Sequence, residues 1–131
     1  MALLLASVPV AGSEADDCNG AVPDVERAMQ DGLSDLSDAR GLTHEAQSHL
    51  SKAPGPESTA CRFLTNGRDA YQRAAAHFRK CETLLDAILA ECPDPDWSAL
   101  SASPQSCPVT RMEIESSLAV LAGDHSAACG D

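Results

Sequence analysis

Aromatic side chains are scarce in this sequence. Phe63, Tyr71, Phe78 and Trp97 are the only four, 3% of 131 residues. Alanine carries much of the apolar share, so each residue brings little volume to a core. A small domain built this way needs an added constraint. Basic residues are also few: nine Lys and Arg stand against twenty Asp and Glu, a formal net charge of −11. Phosphate binding needs clustered cations, so nucleic acid is excluded as a partner class, and anionic membrane surfaces are disfavoured for the same reason. An acidic exterior favours solubility and attracts partners with a cationic surface. No apolar run reaches the roughly 20 residues that cross a bilayer, so no transmembrane span is expected. There is no Asn-x-Ser/Thr acceptor, since Asn19 is followed by Gly-Ala and Asn66 by Gly-Arg.

Signatures of chemistry are missing too. The chain has no Walker loop, no G-x-G-x-x-G and no G-x-S-x-G. Six cysteines and four histidines are metal-ligating types, yet there is no C-x2-C pair, and no H-x3-H or C-x3-C pair on a helix. His44 and His49 are five residues apart, about 140° around a helix, and do not share a face. Asp94 and Asp96 in "DPDW" are a fragment of a calcium-loop pattern without its downstream glutamate, and read as a solvated turn. His77, beside Phe78, and His125, beyond Gly123, read as half-buried histidines rather than bases. No catalytic residue, metal site or cofactor is expected, and the chain does not read as an enzyme.

What is present is an even set of cysteines and a strong helical periodicity. Residues 1–15, "MALLLASVPVAGSEA", hold a short apolar run ending in small residues, Ser13-Glu14-Ala15, that resemble an export-signal cleavage site. The basic residues that open such signals are missing. The segment is a signal-peptide remnant or a disordered arm, and residues 16–131 form a single helical domain. Six cysteines in a small exported chain imply three disulfides among Cys18, Cys61, Cys81, Cys92, Cys107 and Cys129. An oxidising compartment follows: secreted, periplasmic or similar, with the mitochondrial intermembrane space a weaker fit.

The pattern predicts an all-α fold, an antiparallel three-helix bundle stabilised by disulfides. Helix 1 opens at "VPDVERAMQ", with Pro23 in its first turn and Asp24 and Glu26 at the positive end of the helix dipole. Its seam runs Val22, Val25, Met29, Gly32, Leu36, Ala39, Thr43, Ala46, Leu50 and Ala53, in steps of three and four, until "APGPES" ends it. Helix 2 runs from about Ser58 to Cys92 on Ala60, Leu64, Gly67, Tyr71, Ala74, Phe78, Cys81, Leu85, Ile88 and Cys92. Asn66-Gly67 is a turn signal inside this seam; a break there makes the bundle four-helical. A Pro- and Ser-rich loop follows, and helix 3 runs from about Val109 to Ala122 on Arg111, Ile114, Leu118 and Leu121, with His125 and Ala128 able to extend it. Asp31, Asp35 and Asp38 form an acidic stripe on helix 1. Five basic residues, Arg62, Arg68, Arg73, Arg79 and Lys80, lie on helix 2, so part of the stripe is expected to meet them.

Cys81 and Cys92 are eleven residues apart, three turns and a rise of about 16 Å, so they share a face but cannot bond each other. Two pairings stay open. One staples helices 2 and 3 through Cys92–Cys107 and Cys81–Cys129, leaving Cys18–Cys61. The other joins Cys18 to Cys92 or Cys107 at one end and Cys61 to Cys129 at the other. The paired rungs are similar to those of the twin Cx9C hairpins of the mitochondrial intermembrane space, but intervals of ten residues between Cys81 and Cys92 and twenty-one between Cys107 and Cys129 depart from that family. The last three cysteines are spaced somewhat like those of the oomycete elicitins, small helical sterol carriers. Here the third and fourth cysteines lie too far apart, and the chain is assigned to neither family.

The expectation is an exported helical interaction or structural protein without catalytic activity. Its partner is another protein with a cationic surface, met through Trp97 in the Pro-rich loop or through Asp31, Asp35 and Asp38. A helical carrier with an apolar cavity for a small apolar ligand is the alternative.

Overall fold

The computed structural model describes residues 19–130. They form three helices: α1, Val22–Gln47, α2, Thr59–Glu91, and α3, Ser106–Cys129. No strand occurs among the described residues. The antiparallel three-helix bundle is therefore the fold. Residues 1–15, and with them the reading as a signal-peptide remnant or arm, lie outside the described residues.

Local chemistry sets the helix ends. Pro23 sits in the first turn of α1, where its missing N–H costs nothing, and Asp24 lies in that same turn. The Ser58 hydroxyl caps α2 by accepting from the Cys61 N–H at 3.1 Å. At the other end Cys92 is extended, φ −110° and ψ 117°. Pro93 forces this, because a residue before proline is pushed out of the helical region. The expected start of helix 3 at Val109 is corrected to Ser106. Pro108 falls within the first turn, whose N–H groups have no helical partner, so it does not delay the helix. Its end is corrected from Ala122 to Cys129, with Gly130 at φ 79° supplying the left-handed cap. Gly123 is simply an interior helical position.

α2 is the central helix. It packs along both α1 and α3, and no comparable packing joins α1 to α3. All ten seam residues of α2 are buried, among them Leu64, Phe78 and Ile88. In α1 the seam is buried from Val22 to Ala46 apart from half-buried Thr43, but the helix stops at Gln47, and Ala53 is exposed in the connecting loop. No break occurs at Asn66-Gly67. Gly67 is buried within a continuous helix, and a Cβ there would meet Thr43 Cγ2 at 2.9 Å. Gly32 does the same for the opposite wall, where a Cβ would stand 2.5 Å from the Phe78 ring. These glycines thus let α1 and α2 approach closely and do not open room for a ligand.

Candidate functional site

Two disulfides run like rungs between α2 and α3. Cys61 joins Cys129 with Cα atoms 4.9 Å apart, and Cys81 joins Cys107 at 5.8 Å. Cys61–Cys129 was one of the expected pairs. Cys92–Cys107, Cys81–Cys129 and Cys18–Cys61 are corrected, since their members are engaged elsewhere. The physical reason is where α3 starts. Residues 93–105 fold back along the last turns of α2, where Trp97 and Pro104 line a groove with Leu85 and Leu89, so Cys107 arrives level with Cys81, not Cys92. Twenty residues separate the two rungs on α2 and twenty-two on α3, so the antiparallel helices stay in step between them. Cys92 is also disulfide-bonded; Cys18 lies outside the described residues.

The lower rung sits in a cross-braced end. The Gly55 N–H and the Ser58 hydroxyl both donate to the Ala128 carbonyl, at 2.9 and 3.1 Å. They pin the α1–α2 loop to the last turn of α3. His49 stacks on Phe63 at the α1–α2 junction, with ring centroids 5.9 Å apart. Next to the rung, His125 Nε2 lies 3.0 Å from Thr65 Oγ1 and 3.4 Å from Cys129 Sγ. Among the described residues, Cys61, His125 and Cys129 are the trio whose ligand atoms lie within 4.8 Å of one another. The sequence pattern missed this grouping. Searches for pairs of one residue type pass over His125-x3-Cys129, a mixed pair one helical turn apart, and Cys61 joins it only through the fold.

The acidic stripe divides. Asp31 and Asp38 are exposed, while Asp35 turns toward α2 and meets Arg73 at 3.5 Å and His77 at 3.2 Å. Arg73 is the one of the five α2 cations to pair with the stripe. Arg79 instead reaches Glu115 on α3 at 3.4 Å. Arg111 forks between Glu82 and Glu115. Bonding to Glu82 first, then Glu115, holds its guanidinium above its usual value, and Arg111 holds Glu115 below the usual carboxylate range. Glu26 binds the returning loop: it accepts from the Ser101 N–H at 2.8 Å and from the Ser101 hydroxyl. The Ser101 N–H foremost, then the Gln30 amide, pulls its carboxyl below the ordinary range.

Several surfaces among the described residues stay open. On α3, Val109, Met112 and Val120 are 52%, 60% and 71% exposed. Their spacing puts them on one stripe, roughly opposite buried Ile114 and Leu121. Beside that stripe a groove of about 320 Å3 runs between α1 and α3, floored by Leu64 and Tyr71 of α2. Its walls mix polar Thr43, Gln47, Ser116, Ser117 and Asp124 with apolar Val120 and Leu121. Trp97 is half-buried against the core and lines a second groove of about 330 Å3 with Leu85, Leu89, Pro104 and Pro108. No helix among the described residues is long and apolar enough to cross a membrane.

Fold and site together define a disulfide-stapled three-helix bundle with open lateral grooves. Comparison with protein-family models, with curated proteins and with solved structures returns no match.

Proposed function

We propose that the chain is an exported, disulfide-stabilised interaction or structural protein without catalytic activity. The observation that carries this reading is the outward face of α3. Three large apolar side chains, Val109, Met112 and Val120, are exposed on one side of α3, with Ser116 between the last two, and apolar side chains grouped on one exposed face favour a contact surface. The acidic balance and exposed Asp31 and Asp38 favour a partner that carries cations beside an apolar strip. The two rungs, together with the bonded state of Cys92, fit an oxidising location.

The groove floored by Leu64 and Tyr71 favours a second reading, a carrier of a small apolar ligand. It is open to solvent, where a carrier needs an enclosed apolar cavity, so it ranks below the first.

Native mass spectrometry of the chain purified without reductant separates the two. An adduct of a few hundred daltons selects the carrier. The interaction reading expects no adduct, together with a protein partner captured by the wild-type chain. That partner is lost with Met112→Asp/Val120→Asp, in which circular dichroism is unchanged, and it is released by salt. Retention of the partner by the double variant overturns the assignment to α3.

A further inference from the structure

The lower rung holds a grouping that neither the core nor the open faces use. The geometry points to a redox-gated zinc site. With the Cys61–Cys129 bond closed, the trio is a structural staple. With it reduced, the two thiolates and the His125 imidazole hold a divalent zinc ion.

The donor set is right for zinc, which takes thiolate and imidazole ligands. His125 and Cys129 lie one turn apart on α3, so their donors project to the same side. Their 3.4 Å separation already matches the about 3.5 Å between a thiolate sulfur and an imidazole nitrogen on one tetrahedral zinc. The two sulfurs have to part from about 2 Å in a disulfide to about 3.8 Å on the ion. Side-chain rotation supplies a movement of that size. Three protein ligands leave a fourth position for water, and Thr65 Oγ1, 3.0 Å from the ligating nitrogen, is placed to hydrogen-bond it. The frame does not depend on the bond, because Gly55 and Ser58 hold the Ala128 carbonyl independently. Access also differs between the rungs. Cys61 and Cys129 are each 6% exposed, while Cys81 and Cys107 are fully enclosed.

The chemistry balances with a dithiol as reductant. Its thiolate attacks one sulfur of the rung, and its second thiol closes on the mixed disulfide and leaves as a cyclic disulfide. Two electrons pass to the rung, which becomes two thiols. Each gives a proton to solvent as zinc binds, so two thiolates, one neutral imidazole and the divalent ion make an electrically neutral site. Exchange with a disulfide, which takes up the two electrons and leaves as its dithiol, re-forms the bond and releases the ion.

The test takes the whole chain, opens it stepwise with a dithiol in the absence of oxygen, and maps the freed thiols by alkylation. The partly reduced chain is then titrated with Zn2+, and with Co2+ as a coloured probe. Expected are opening of Cys61–Cys129 before Cys81–Cys107, binding of one equivalent, and thiolate charge-transfer and tetrahedral bands from cobalt, with no uptake by the oxidised chain. His125→Ala is expected to weaken uptake about tenfold or more, while Cys81→Ala/Cys107→Ala keeps it. Absence of uptake by the reduced chain overturns the proposal, and so does uptake that His125→Ala leaves unchanged. If reduction melts the helices, one equivalent of zinc must restore their circular dichroism, since binding and folding are linked; failure to restore it is equally decisive against the site.

Discussion

Gly32 and Gly41 are both helical glycines of α1, and they answer to opposite forces. A Cβ at Gly32 would stand 2.5 Å from Phe78, whereas one at Gly41 meets nothing within 4 Å. Gly32→Ala is therefore expected to overpack the core and lower stability by about 1–3 kcal/mol. Gly41→Ala is expected to raise it by roughly 0.5–1 kcal/mol through helix propensity alone. Urea unfolding of the two variants checks both signs, and a stabilising Gly32→Ala would refute the close approach of α1 and α2. Phe78 itself is 1% exposed, and truncation to alanine is expected to cost about 3–5 kcal/mol. At this scale much was legible in the sequence. The seam residues of α2 are all buried because a period of 3.6 fixes which side chains share a face. The role of Gly67 was not legible, since the same dipeptide signals a turn in isolation, and only Thr43 on the facing helix shows that the position needs the smallest side chain.

The loop 93–105 depends on one charged side chain. It crosses the start of α1, and Glu26 holds it through Ser101, with the Asn19 side chain accepting from the Asp96 N–H at 3.1 Å as a second tie. The carboxyl of Glu26 is held below its ordinary value in the folded chain. The sign follows directly: its contribution is present above the unfolded pKa, about 4.3 for glutamate, and is lost as pH falls through the folded value. Trp97, the sole tryptophan, sits in this loop, so its fluorescence is expected to change as pH falls below the ordinary glutamate range. In Glu26→Ala this acid change is expected to be absent, because the tie is already gone at neutral pH and no carboxyl is left to titrate. An identical acid profile in the two proteins would show that Ser101 does not depend on Glu26. The helix boundaries illustrate why elements are harder to read than faces. Pro108 reads as a barrier before helix 3 yet lies inside its first turn, because a first turn needs no N–H donors.

For the whole molecule, the topology was legible but the cross-links were not. Spacing along one helix forbids Cys81–Cys92, yet the partner of each depends on where the returning helix starts, which is set by how the 93–105 loop lies. Non-reducing peptide mapping is expected to recover Cys61–Cys129 and Cys81–Cys107, with Cys92 in a further disulfide. Recovery of Cys92–Cys107 instead would overturn the register of α3. The rungs close loops of 68 and 26 residues. In the chain-entropy description their removal, as Cys61→Ser/Cys129→Ser and Cys81→Ser/Cys107→Ser, is expected to lower stability by about 4 and about 3.5 kcal/mol. Denaturant midpoints give both.

The spacing of the rungs has a mechanical side. Two covalent ties, twenty residues apart along α2 and twenty-two along α3, bar these helices from sliding, twisting or peeling away from one another. They form a single stiff beam. α1 meets that beam through packing along α2, through the Asp35 pairs with Arg73 and His77, and through Glu26 on the loop that joins α2 to α3. A pulling force applied across α2 and α3 is therefore expected to load the two covalent ties, and the pair keeps its register until they are reduced.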